Sequence, residues 1–133
     1  MLFNVPFGGL ISGAKGAVLA VLLRTEKPMT GRHISTMVGE EYSLWAVQAA
    51  LKELVQIGLV QVETYGRSLL NRLNNQHALV PALREMVSPV EVLRRVVSKA
   101  SGDAVAVILF GSIAQGMAGP GSDIDLAVLA FDS

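Results

Sequence analysis

The sequence predicts a mixed α/β (α+β) protein built in two parts, and three observations lead there. Residues 14–57 carry three helical patterns punctuated by Pro28 and Gly39, and an alternating hairpin pattern follows over residues 59–73. Residues 104–110, AVAVILF, form a continuous apolar run of strand length. Residues 123–130 then alternate into a further strand.

Each element has a local reason. Residues 14–24 are rich in Ala, Val and Leu, which fits a buried helix, and Pro28 ends that segment because proline cannot extend the hydrogen-bond ladder. Residues 8–13, with Gly8, Gly9 and Gly13, read as a loose arm before it. Thr30 stands where an N-cap belongs for a second helix over residues 31–38, and Gly39 is its C-cap. Ser43 is the next N-cap. Leu44, Val47, Leu51, Leu54 and Val55 recur at helical spacing, so a third helix should reach about Ile57 and stop at Gly58. Residues 59–64 alternate as a strand, residues 66–68 turn, and residues 69–73 return. Three helices and a hairpin in that order describe a winged helix-turn-helix.

The phrase LKELVQIGLV, residues 51–60, resembles the passage from recognition helix to wing in many bacterial winged-helix regulators. Beyond it, residues 78–87 predict a short connecting helix with Pro81 in its first turn. Ser88-Pro89 opens another helix to about Ala100, and residues 101–103 form a turn. The expected domains are therefore a winged helix at 1–75, a helical connector at 76–87 and a second α/β domain at 88–133.

Bulk composition sets the function classes. The 133 residues suffice for one ordinary domain or two small ones, and the 51% apolar content supplies a core. Eleven basic residues balance eleven acidic ones, so no overall basic field argues for nucleic acid. Seven of the basic residues and five of the acidic ones fall in residues 1–75, a small positive excess that reverses in the remainder. Absence of cysteine excludes disulfides and thiolate zinc sites. The start lacks the basic and apolar regions of a signal peptide, and the apolar run at 17–23 is too short to span a bilayer. These features predict a cytoplasmic protein without a membrane partner.

The chemistry is carried by Gly111-Ser112, at the end of one strand, and Asp123-Ile124-Asp125, at the start of the next. Backbone amides after a strand can face a triphosphate, and glycine permits close approach. Carboxylates two apart on a strand leave on one face and suit a hard divalent cation. Alone, a Gly-Ser is only a turn and an Asp-x-Asp only a loop cap. Together, LFGSIAQG and GSDIDL resemble the signature of the polymerase β-like nucleotidyltransferase superfamily, nearest its minimal and kanamycin nucleotidyltransferase-like members, over residues 88–131. The resemblance implies transfer of a nucleoside monophosphate from an NTP. Asp123 and Asp125 would be catalytic and bind magnesium at a two-metal site, and Gly111 and Ser112 would hold the nucleotide. It also implies a third carboxylate from a later strand. The sequence stops at Ser133 with only Asp132 beyond the motif, so the expectation is a core incomplete as a catalyst on its own, with a sheet edge that pairing in a homodimer would cover.

The winged helix offers a second class of function. Ser43, Gln48 and Lys52 lie on or near the helix side away from the apolar stripe, where double-stranded DNA would be read. Arg32 opens the second helix, and Arg67, with Tyr65 and Arg72 beside it, marks the wing tip. The plain alternative is a solvated surface, with Trp45 packed against the second helix or a partner, and Glu40 and Glu41 count against phosphate. His33 reads as a surface or packed histidine, and His77 lacks a second ligand at metal spacing. Three functions remain open: a nucleotidyltransferase, a DNA-binding regulator with a vestigial or nucleotide-sensing transferase part, and a dimerising interaction module.

Overall fold

A computed structural model describes residues 5–101, 104–110 and 125–130. They form a mixed α+β chain that divides into two compact units, one of residues 11–84 and one of residues 1–10 with 85–133.

The first unit opens with α1 (Gly13–Arg24), buried on nearly every side through Val18, Leu19, Ala20, Leu22 and Leu23. A helix apolar all round belongs at the centre of a unit, and both neighbouring helices pack on it. Thr25 closes it, its hydroxyl and its amide both donating to the Val21 carbonyl. Helix α2 (Gly31–Val38) is capped by Thr30, whose hydroxyl accepts from the His33 amide at 3.2 Å. Helix α3 (Leu44–Gln56) is capped in the same way by Ser43, accepting from Ala46 at 3.1 Å. Ile34, Val47 and Leu54 complete the core between the three helices.

Helix α3 ends in a Schellman motif. Gly58 takes φ +81°, its amide donates to Val55 and the Leu59 amide donates back to Leu54. The chain leaves that turn directly into β1 (Val60–Tyr65), which pairs antiparallel with β2 (Ser68–Leu73) from Val60↔Leu73 to Tyr65↔Ser68. A two-residue turn with Gly66 at φ +62° joins them. Met29 adds a third, single-residue rung: its amide and carbonyl both bond to Asn71, whose buried side chain donates again to the Met29 carbonyl.

Helix α4 (Val80–Met86) begins two residues later than its sequence pattern implies. It docks on the winged helix through buried Val80 and Leu83, and the Arg84 guanidinium donates to the Leu23 carbonyl at 3.1 Å. Most of α4 thus belongs to the first unit, which runs from Ile11 to Arg84.

In the second unit the expected loose arm is instead a short turn, Pro6–Gly9. Phe7 is buried and its amide donates to the Val87 carbonyl at 3.1 Å. Burial of one aromatic side chain outweighs its positive φ of 56°. Helix α5 (Pro89–Ser101) starts at Ser88-Pro89 as the sequence implies. Strands β3 (Ala104–Phe110) and β4 (Asp125–Ala130) pair antiparallel.

Gly16, inside α1, illustrates a constraint that helix propensity misses. A Cβ there would lie 1.9 Å from the Ile11 carbonyl oxygen, a backbone atom with no freedom to swing aside. Propensity alone says that Gly16→Ala gains about 1 kcal/mol. The contact reverses that sign, and urea unfolding of the variant should show a loss of about 1–3 kcal/mol.

Candidate functional site

The β3–β4 strand pair includes one residue of the sequence motif, Asp125. Phe110, the last residue of β3, pairs with Asp125, the first residue of β4, and the ladder continues through Leu109↔Leu126 and Ile108↔Ala127. Gly111 is bonded covalently to Phe110. The Gly111-Ser112 segment therefore follows in sequence the strand end at which Asp125 sits. The pairing follows from the sequence: AVAVILF and DLAVLA supply β-branched and apolar residues with no proline. Gly111, Ser112 and Asp123 lie outside the described residues, as does the side chain of Asp125. Two carboxylates one residue apart provide hard oxygen donors of the kind magnesium takes. No cluster of three or more His, Cys, Asp or Glu side chains occurs among the described residues.

The winged helix presents its own surface. Trp45, Gln48, Lys52 and Val55 fall at spacings of three, four and three on α3, so they share one face, and all four are exposed. Trp45 is 79% exposed and packs on neither α2 nor another described element in the manner of a core residue. Glu53 is turned to the other side, where it pairs with Lys15 of α1. The recognition face consequently has Lys52 as its one charged side chain within α3. Arg32 is exposed on α2, its carbonyl accepting from the Thr36 hydroxyl. Ser43 is exposed but its oxygen already serves the helix cap. In the turn between the helices, desolvation and the neighbouring Glu41 carboxylate raise the Tyr42 phenol above its ordinary value.

The two wing arginines separate. Arg67 occupies the exposed hairpin tip. Arg72 does not stand beside it. It faces Gln61 near the base of the hairpin, paired with Glu63 at 3.3 Å and donating to Gln61 at 3.4 Å. Between α3 and the wing, Gln48, Lys52, Val55, Val62 and Leu69 line a cleft of about 350 Å³. Its apolar flank, Val62 and Leu69, was not singled out from the sequence. Strand alternation alone assigns one face of a hairpin inward without saying whether anything covers it.

Comparison with known families decides the architecture. Residues 90–132 match the nucleotidyltransferase domain family, and residues 13–72 match the TBPIP/Hop2 winged helix domain. The chain joins a winged helix domain to a nucleotidyltransferase domain. No curated protein and no solved structure matches it. The nucleotidyltransferase match spans α5, β3 and β4 and includes Gly111, Ser112, Asp123 and Asp125. The winged helix match begins at the first residue of α1 and ends within β2. No helix among the described residues is long and apolar enough to cross a membrane.

Trp45 is the single tryptophan of the chain. Its exposure predicts an emission maximum close to that of free indole and ready quenching by iodide. A duplex or partner seated on the α3 face should shift that emission to the blue and protect it from the quencher.

Proposed function

We propose that the chain is a magnesium-dependent nucleotidyltransferase-family protein whose winged helix engages double-stranded DNA. The observation that supports the first half is the Phe110↔Asp125 register, which puts the strand end that precedes Gly111 opposite Asp125. In this assignment Asp123 and Asp125 hold magnesium, and the Gly111 and Ser112 amides with the serine hydroxyl hold the triphosphate of an NTP. Bound there, the metal supplies charge neutralisation at the phosphates and orientation of the acceptor hydroxyl. The chain's own contribution would be to hold two carboxylates and the Gly111-Ser112 amides together for the metal and the phosphates. A two-stranded sheet is marginal alone, and pairing of two copies through a β3–β4 edge would extend it.

The test is calorimetric titration with ATP or GTP in the presence of magnesium. Saturable binding should require the metal and disappear in Asp123→Asn/Asp125→Asn, with the circular dichroism spectrum unchanged. Equal binding by the native chain and the double variant would remove the motif from nucleotide recognition.

Support for the DNA half comes from Arg32, Gln48, Lys52 and Arg67, all exposed on the surfaces that a winged helix turns to a duplex. Arg72 is already compensated by Glu63 and should contribute less. Gel retardation over a salt series discriminates the two arginines. Arg67→Ala should lower the slope of log affinity against log salt by about one, whereas Arg72→Ala leaves it nearly unchanged. A salt-independent interaction, or identical effects of both variants, would contradict the assignment. The regulator reading, with a nucleotide-sensing transferase part, corresponds to metal-dependent binding without transfer.

A further inference from the structure

The winged helix unit contains a second cavity, of about 300 Å³, that no residue of α3 lines. Thr25, Glu26 and Lys27 from the connection after α1 form one wall. Arg72 at the end of β2, the polar turn of Asn74, Asn75 and Gln76, and Arg84 of α4 form the others.

Several side-chain oxygens at the cavity already serve internal partners. The Asn75 side-chain oxygen accepts from Arg84 Nη2 at 2.7 Å, and the Leu23 carbonyl accepts from Arg84 Nη1 at 3.1 Å. The Asn74 side-chain oxygen accepts from the Gln76 amide, and the Gln61 oxygen accepts from Arg72. The donors that remain include further guanidinium N–H groups of Arg84, the Asn75 and Gln76 side-chain amides, and the Lys27 ammonium. Arg72 is neutralised by Glu63. Arg84 is held only by neutral oxygens, and Lys27 forms no ion pair among the described residues. Glu26 is the single carboxylate of the lining, so the two uncompensated cations outnumber it.

A concave site with two cations, one of them fixed by its own hydrogen bonds, suits a small polyanion. We infer that this cavity binds a diphosphate group, either pyrophosphate or the terminal phosphates of a nucleotide, through Lys27 and Arg84. The site uses no residue of the Asp123–Asp125 motif, and its contacts to the anion come from side chains. It does not depend on the transferase assignment. A chain that handles nucleotides at one end would thereby sense nucleotide or pyrophosphate on its DNA-facing unit.

The experiment titrates the full chain with pyrophosphate, and separately with ATP, by calorimetry in EDTA. EDTA silences a magnesium-dependent site and leaves this one. Saturable binding is expected, weakened about tenfold or more by Lys27→Glu, in line with the loss of one charge-assisted contact. Asp123→Asn/Asp125→Asn should leave it unchanged. Equal affinity for the two probes assigns the diphosphate alone, and tighter ATP binding adds a nucleoside contact. Lys27 has no structural partner, so the variant keeps its fold, and a second variant, Arg84→Gln, is scored only after its unfolding curve is measured. No saturable binding of either probe in EDTA, or binding indifferent to Lys27→Glu, would overturn the inference. So would a Lys27→Glu defect confined to duplex DNA, which would reassign the cations to a DNA backbone contact.

Discussion

The closure of α3 is the constraint on which the winged helix depends. A helix that ends inside a unit leaves carbonyl groups without partners, each of which is costly when unmet. Here the Schellman turn at Gly58 satisfies the Val55 and Leu54 carbonyls, and the returning chain satisfies the next ones. Asn74 donates to the Gly58 carbonyl at 3.0 Å from its side chain and to the Leu59 carbonyl at 2.8 Å from its amide. His77 reaches the Ile57 carbonyl at 3.1 Å through Nε2, while its Nδ1 accepts from the Leu79 amide. The second contact fixes the first, because a ring nitrogen that accepts at Nδ1 carries its proton at Nε2. One short segment after the wing therefore seals α3 and starts α4. The recognition helix, the wing and α4 are consequences of a single turn.

Local chemistry made much of this legible in the sequence. Thr30 and Ser43 bond to amides three residues away, so their role needs no tertiary information, and both cap as their positions imply. Gly58 is legible for the same reason: only a residue tolerant of positive φ ends a helix and reverses the chain there. What escaped depends on contacts distant in sequence. Phe7 is anchored to Val87, Arg84 to Leu23 and His77 to Ile57. No window of neighbouring residues contains those pairs. Arg72 was misplaced beside the wing tip because proximity along the chain is not proximity along a hairpin; the register sets it opposite Gln61, well below the turn. Of the motif, spacing identified the residues and the described hairpin positions only Asp125 and the strand end before Gly111.

Electrostatics distinguish this winged helix from a general DNA-binding surface. Glu53 is withdrawn to Lys15 and Arg72 to Glu63, which leaves the α3 face with Lys52 and an exposed tryptophan. Glu40 and Glu41 lie exposed in the adjoining turn. A face with so few free cations gains little from counterion release, the term that dominates non-specific affinity. Contacts of Gln48 with base edges, and stacking or packing by Trp45, would then carry a larger share of any affinity than phosphate contacts.

The cations not spent on that face are found elsewhere in the same unit. Lys27 and Arg84 line a cavity, and Arg84 is also the side chain that ties α4 to the end of α1. A ligand drawing on the Arg84 guanidinium would act on a group that holds three elements in register: the Leu23 carbonyl of α1, the Asn75 side chain of the post-wing turn, and α4 itself. That turn is the one whose neighbours, Asn74 and His77, close α3. The cavity and the closure of α3 thus share this short turn. Any coupling between them would run by differential stabilisation of this turn, since a ligand shifts only the states for which its affinity differs.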